Sequence, residues 1–451
     1  MAAPNKTGLQ YCVVWQSSVC WRPQQKLERT LGEELKQAAK LTNIRDILLY
    51  ILIGSVIFIG VVVIGARSPH VFSTKPAPHE QNAAIPEKWQ FTASGVIVGA
   101  LALGEDGTLY AASEDGFVYA LDASGNLKWK FDAGPMMAGP TIGADGTIYV
   151  TNKDQRVFAI NRTGTQQWAV GGGPYADKQM GRIAAAIDQN YLYTPWRGPL
   201  RAIRLSTGTF EWPAGMGFKR GGSVGILPSG LIVYPGVGRI DAVDSRGITV
   251  WQYPVMDPPL TVDTLLSNGG HPPSGNFWME SGIAVADDGT FYAGCESRLI
   301  AFSPAGHFLW EFKTKLRSID WANPVIAADG SIYFGSPEGS LYALNSDGTQ
   351  KWALDTGGRT EATPMLAEDG TIYFANGTAL LAVSPEGKVL GRVPIIGGVD
   401  SSPTLAPDGT IYVASHVGKI TAFAGTHGGL MNSPWPKFQR DLANSGRAHP
   451  F

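Results

Sequence analysis

Charge is scarce in this chain of 451 residues: Asp, Glu, Lys and Arg together make up 16%, and the formal net charge is −2. A balance so close to neutral leaves no basic footprint for nucleic acid. Cysteine is scarcer still, with three residues. Cys12 and Cys20 stand near the N-terminus and Cys295 stands alone far downstream, so the bulk of the chain can form no internal disulfide. There is no Cys-x-x-Cys-His haem attachment site and no adjacent cysteine pair. Also missing is a phosphate-cradling Gly-x-x-x-x-Gly-Lys loop. His271 has no second histidine at metal-ligand spacing and reads as a loop residue. Gly221-Gly222-Ser223-Val224-Gly225 matches Gly-x-Ser-x-Gly, but no helix pattern follows it, so a nucleophile elbow is not expected.

What is abundant is Gly (56) and Pro (30), the composition of many short strands joined by tight turns. One long apolar run interrupts that pattern. Ile47 to Ala66 carries no charge over twenty residues, enough for a helix of about 30 Å, one hydrocarbon core. A cleavable signal peptide is the competing reading, although the run exceeds the usual apolar region of such peptides. Arg29, Lys36, Lys40 and Arg45 precede the run, and only Arg67 and Lys75 follow it closely. That bias predicts a cytoplasmic N-terminus and a periplasmic or extracellular remainder, held by a single-pass helix in the plasma or inner membrane. The expected layout is a cytoplasmic segment 1–46, a transmembrane helix 47–66, a stiff Pro-rich linker 67–87 and a repeat domain 88–447.

The repeat is the dominant signal after Trp89. Asp-Gly turns occur at Asp106-Gly107, Asp145-Gly146, Asp288-Gly289, Asp329-Gly330, Asp369-Gly370 and Asp408-Gly409, with Asp188-Gln189-Asn190 and Ser229-Gly230 in the two remaining places. Successive turns are 39–43 residues apart, except for one gap of 59. Asp-Gly between apolar runs is a hairpin signal, because both residues tolerate positive φ. Strands such as TIYVTN, SIYFGS and TIYVAS follow the turns and are apolar on both faces, as in sheets packed between sheets. The clearest copies then carry Ala-x-(Asp/Asn)-x-x-Gly-x-x-x-Trp, as in Ala120 to Trp129 and Ala343 to Trp352. Eight copies of one four-strand unit predict an all-β, eight-bladed β-propeller preceded by one transmembrane α-helix.

The recurring tryptophans are Trp89, Trp129, Trp168, Trp212, Trp251, Trp310, Trp352 and Trp435, and they are expected to pack between blades. Gly391 takes the tryptophan place in one copy, so that outer strand is expected to pack less well. Lys88-Trp89-Gln90-Phe91 and Trp435-Pro436-Lys437-Phe438 are alike, and either could complete the eighth blade.

Together, Asp-Gly-Thr-Ile-Tyr and the Ala-to-Trp motif resemble the pyrroloquinoline-quinone (PQQ)-type propeller repeat. That repeat is shared by quinoprotein alcohol dehydrogenases and BamB-like assembly lipoproteins. The segment from Trp435 to Gly446 also resembles one common in that superfamily. The resemblance implies an eight-bladed propeller of the cell envelope, without implying that PQQ binds. Quinoprotein dehydrogenases pair PQQ with calcium and a vicinal cysteine pair, which is missing here, so no cofactor or metal is expected and PQQ catalysis stands last among the readings.

Residues that begin the innermost strand of each blade should ring one mouth of the channel. By that logic the candidates are Arg182, Lys219, Arg220, Trp278, Glu280, Asp320, Trp321, Arg359, Glu361 and Asp400, charged or aromatic where the repeat is otherwise small or apolar. The long gap after Trp251 holds an insertion that should overhang the same mouth, with Phe277 and Trp278 as apolar anchors. No residue is assigned a catalytic role. Three functions stay open: a non-enzymatic scaffold for a protein partner in an envelope or membrane complex, a small-molecule or glycan binder, and a PQQ-dependent dehydrogenase.

Overall fold

The computed structural model describes residues 85–172, 184–195, 200–212, 222–236, 239–254, 281–295, 298–315, 323–358, 362–399, 401–425 and 428–448. The chain divides into two units, Met1–Pro78 and His79–Phe451. Ile47 to Ala66 lies outside the described residues, among which no helix is long and apolar enough to cross a membrane.

The second unit is a ring of eight antiparallel sheets. In blade 1 the strands run in chain order from the axis outward: Ile97–Leu103, Leu109–Ser113, Phe117–Leu121 and Leu127–Asp132. Blades 2 to 7 repeat this order, starting at Thr141–Ile142, Ala186–Ile187, Gly225–Ile226, Ile283–Val285, Val325–Ile326 and Met365–Leu366. The second strands are buried on both faces, whereas the fourth alternate between partly buried and exposed, so the core runs around the ring between the sheets. Blade 3 has three strands among the described residues, with only the bridge Ile203–Phe210 beyond them.

The register explains the repeat motif. Ala120 sits opposite Tyr110 on one side and Trp129 on the other, and Ala159 and Ala343 hold the same place in blades 2 and 6. A methyl group between two large rings lets the tyrosine and tryptophan meet above it. Six such Tyr–Trp pairs have centroids 5.6–5.8 Å apart, tilted 39–44°. Each indole then reaches the next blade. Nε1 of Trp89, Trp129, Trp168, Trp212, Trp310 and Trp352 donates to a turn carbonyl of the following blade at 2.7–3.2 Å. The motif glycine sits under that ring. A Cβ on Gly125, Gly164, Gly348 or Gly387 would lie 2.6–2.8 Å from the indole, and each has φ of +83 to +85°, so only glycine fits.

Trp251 departs from this pattern. Val233 stands where the tyrosine would be, opposite Ala242, and Trp251 instead stacks on Phe291 of blade 5 at 14°. Its Nε1 is buried and makes no hydrogen bond.

Ring closure uses the first of the two candidate strands. Glu87–Thr92 is the outer strand of blade 8, in the order Glu87–Thr92, Lys419–Ala424, Thr410–Ala414, Thr404–Leu405. Trp89 pairs with Ala422 in the usual register and covers Gly125 of blade 1, so the two ends of the array are sealed by the same contact that joins every other pair. The second candidate does something else. Trp435 is not on a blade strand: it is 1% exposed, and its carbonyl accepts from Ile326 N at the inner edge of blade 6. Blade 8 therefore takes its outer strand from the N-terminal side, and its third strand runs on into the tail without the turn that a tryptophan of blade 7 would cap. That accounts for Gly391. The outer strand of blade 7 is eleven residues long, Val389–Val399; it buries Ile395 and Val399 but leaves Leu390 45% and Ile396 75% exposed.

Candidate functional site

The channel has two ends. The Asp-Gly turns surround one, and the segments linking successive blades surround the other.

The C-terminal segment 428–448 closes the Asp-Gly end. The last N–H of an inner strand has no neighbour toward the axis, and a tail carbonyl supplies one. Leu103, Ile142, Ile187 and Ile226 donate to Leu442, Ala443, Ser445 and Gly446, and Ile326 and Leu366 donate to Trp435 and Pro436, all at 2.8–2.9 Å. Six of eight blades are thus tied to one strap near the axis. A fully buried lysine holds the strap together. Lys437 Nζ donates to Phe438 O (3.1 Å), Asp441 O (2.9 Å) and Asn444 Oδ1 (2.5 Å), one acceptor for each ammonium hydrogen. Burial pushes its pKa down to about 7, against the opposing pull of Asp441. Asn444 reaches outward with Nδ2 to Pro140 O at 2.9 Å.

At the other end, small polar side chains just ahead of the inner strands link one blade to the next. Ala184 N donates to Ser223 Oγ (3.1 Å), Asn323 Nδ2 to Thr363 Oγ1 (3.0 Å) and Thr363 N to Ser402 Oγ (3.0 Å). Gly282 N donates to Asn323 Oδ1. Ser223, the serine of Gly-x-Ser-x-Gly, is therefore a buried acceptor in the wall and not an exposed nucleophile. The two blades flanking the insertion carry buried ions at this end. Arg239 Nε bonds Asp241 Oδ2 at 2.9 Å, and Arg298 Nη1 bonds Glu311 Oε2 at 3.2 Å. Arg239 lies opposite Pro254, the last described residue before the insertion. Asp241 is 1% exposed and burial raises its pKa, with Arg239 opposing.

All eleven binding candidates, Arg182, Lys219, Arg220, Phe277, Trp278, Glu280, Asp320, Trp321, Arg359, Glu361 and Asp400, lie outside the described residues. Their described chain neighbours, among them Ala184, Gly222, Ser281, Asn323, Ala362 and Ser401, lead into the inner strands at the end opposite the tail. Among the tryptophans, Trp89, Trp129, Trp168, Trp251, Trp310 and Trp352 lie on outer strands, Trp212 follows the third strand of blade 3 and Trp435 is in the tail. No group of three or more His, Cys, Asp or Glu side chains able to hold a metal ion occurs among the described residues.

Sequence reasoning missed the tail strap and the Ser–Thr–Asn belt. The belt had a faint signal, a small or polar residue before each inner strand. The tail had a clearer one, a segment after Ala424 without strand periodicity in which a lysine stands between Trp435-Pro436 and Phe438.

A family model described as outer membrane protein assembly factor BamB matches residues 84–228 and 236–437. The chain belongs to this family. The crystal structure of BamB from Moraxella catarrhalis superimposes with a TM-score of 0.60 at 17% identity, covering 76% of this chain and 100% of that one. The computationally designed Ika8 protein gives a TM-score of 0.59 at 12% identity, covering 75% and 99%. Both likenesses are of fold. No curated protein sequence matches the chain. The BamB-like chain is thus an all-β, eight-bladed PQQ-repeat propeller.

Proposed function

We propose that this BamB-like propeller is a non-enzymatic scaffold, tethered by residues 47–66 to the plasma or inner membrane with its propeller outside the cytoplasm. In this reading it holds a protein partner of an envelope complex at the channel end opposite the tail. The observation that carries the reading is the asymmetry of the channel: one end is sealed by six main-chain bonds, while the blade-linking segments, including the long one after Pro254, belong to the other. The family description, outer membrane protein assembly, supports a role in building an envelope complex. The described channel wall supports binding over catalysis. Its Asn323, Thr363, Ser223 and Ser402 side chains are committed to one another or to main chain, and Cys295 is buried.

The test is a Phe277→Ala/Trp278→Ala variant of the full chain in its native membrane. The expected result is a loss of partner recovery of about tenfold, as for paired aromatic anchors, with an unchanged unfolding midpoint. Undiminished recovery would reject the reading.

A further inference from the structure

The seams between blades are not packed alike. Two residues past the blade tryptophan, the outer strand carries a side chain that meets the third strand of the following blade. Phe91 meets Tyr119, Phe131 meets Phe158, Tyr253 meets Phe302 and Phe312 meets Tyr342, with ring centroids 4.9–5.7 Å apart. Between blades 6 and 7 the residues are Leu354 and Leu381, still apolar and packed in one cluster. Between blades 2 and 3 they are Val170 and Arg201. Thr194 stands opposite Arg201 as Val150 stands opposite Phe158, so an apolar pair in blade 2 becomes a polar one in blade 3. The Arg201 guanidinium lies against its own blade: Nη1 donates to Trp212 O at 3.0 Å, and the Phe210 ring is 5.3 Å away.

Two further observations point to the same seam. Among the described residues its buried core is Tyr149, Val157 and Ala159 of blade 2 with Ile187, Leu192 and Ile203 of blade 3, six residues against thirteen between blades 1 and 2. Less apolar surface is re-exposed when such a seam parts, so parting costs less. The outer rim of the seam is a groove of about 540 Å³, and its lining is polar, with Asp145, Gln167, Asp188, Asn190 and Arg204. The hydrogen bonds described across the seam stand at the tail end. Trp168 Nε1 donates to Leu205 O at 2.7 Å, and Ile142 N and Ile187 N both bond the strap. On its other side blade 3 is tied to blade 4 at the opposite end, where Ala184 N donates to Ser223 Oγ (3.1 Å) and Val224 N to Ala184 O (3.3 Å).

We infer that the ring is jointed at the seam between blades 2 and 3. The seam parts at the end away from the tail, before the seams with aromatic pairs do, and the strap and the Trp168–Leu205 bond serve as its hinge. Val170 lies near the end of its outer strand and Arg201 near the start of its third strand, so the aromatic pair is missing at the end that opens. Blade 3 moves with blade 4, to which Ala184 ties it. The joint is a property of the ring and stands whether or not the scaffold reading does; in that reading it widens the channel end that meets the partner.

The test reads thiol exposure in full-length protein in detergent, with Cys12, Cys20 and Cys295 replaced by alanine so that a single introduced cysteine reports. Val157→Cys probes the joint, and Val118→Cys probes the same register between blades 1 and 2; both valines are 0% exposed. With excess maleimide and no denaturant, Val157→Cys should label about tenfold faster than Val118→Cys. Ile203→Cys, at the hinge end of the same seam, should label as slowly as Val118→Cys. Val170→Phe/Arg201→Phe copies the pair between blades 1 and 2 and should slow Val157→Cys to the Val118→Cys rate. The converse change, Phe131→Val/Phe158→Arg, should speed Val118→Cys about tenfold. Where a double variant fails to fold, the three single-cysteine rates decide. Equal labelling of Val157→Cys and Val118→Cys, or of Val157→Cys and Ile203→Cys, would overturn the proposal, as would a Val157→Cys rate that Val170→Phe/Arg201→Phe leaves unchanged.

Discussion

The two ends of the channel are held by different means. At the tail end the contacts are mostly main chain to main chain, the inner-strand N–H groups of six blades meeting carbonyls of one strap. Side-chain identity matters there at few points, chiefly Lys437 and Asn444. At the other end the blades are joined by side chains, Ser223, Asn323, Thr363 and Ser402, one pair at a time. A strap that bonds six blades at once makes them cooperate, whereas pairwise links can be altered one at a time. One end thus holds six blades through a single strap, and the other joins neighbours pair by pair.

The most drastic way to break the comparison is to end the chain after Gly425. That removes all six strap bonds, each worth about 1 kcal/mol net, and exposes their donors. We expect a loss of more than about 5 kcal/mol in urea unfolding, enough to threaten folding altogether. A stable truncated ring would show that the strap is an accessory.

Lys437 sharpens the same point more gently. Lys437→Met leaves Phe438 O and Asn444 Oδ1 without that donor, while Asp441 O keeps Asn444 N, and should cost about 2–4 kcal/mol. The wild-type chain also predicts a pH signature. The folded pKa is lowered to about 7 while the unfolded chain keeps the ordinary lysine value, so between these limits the unfolded state binds more protons. Stability from this residue therefore rises with pH from about 7 upward and is flat below it. Urea midpoints at pH 7 and pH 9 should differ in the wild type, and the difference should vanish in Lys437→Met.

Most of the ring was legible before any coordinates. Tyr, Ala, Gly and Trp recur because three cross-strand neighbours and one next-blade turn need those sizes, so the contacts are written once per repeat. What was not legible occurs once. The tail's role depends on main-chain carbonyls, which every residue type carries, and Trp435 looked like a blade tryptophan because Trp435-Pro436-Lys437-Phe438 is similar to Lys88-Trp89-Gln90-Phe91. Gly391 was readable as a gap but not as the consequence of a turn that blade 8 lacks. The mouth candidates rested on position within the repeat, and they fall outside the described residues, so their arrangement rests on the chain's direction alone.

The smallest effect compares one blade contact with its exception. Trp129→Phe removes an inter-blade hydrogen bond and should cost about 1 kcal/mol beyond the lost ring area. Trp251→Phe removes a buried N–H that bonds nothing, and should cost clearly less. Equal losses in thermal unfolding would show that the indole bond contributes little to joining the blades.

The most direct test of the scaffold account is site-specific photocross-linking in native membranes. A photoreactive residue would replace Trp278 or Asp320, in the segments that precede the inner strands of blades 5 and 6, or Lys128 on the outer strand of blade 1 as a control. The account predicts one discrete partner adduct from Trp278 and Asp320 and none from Lys128. No adduct, or the same adduct from all three positions, would contradict it.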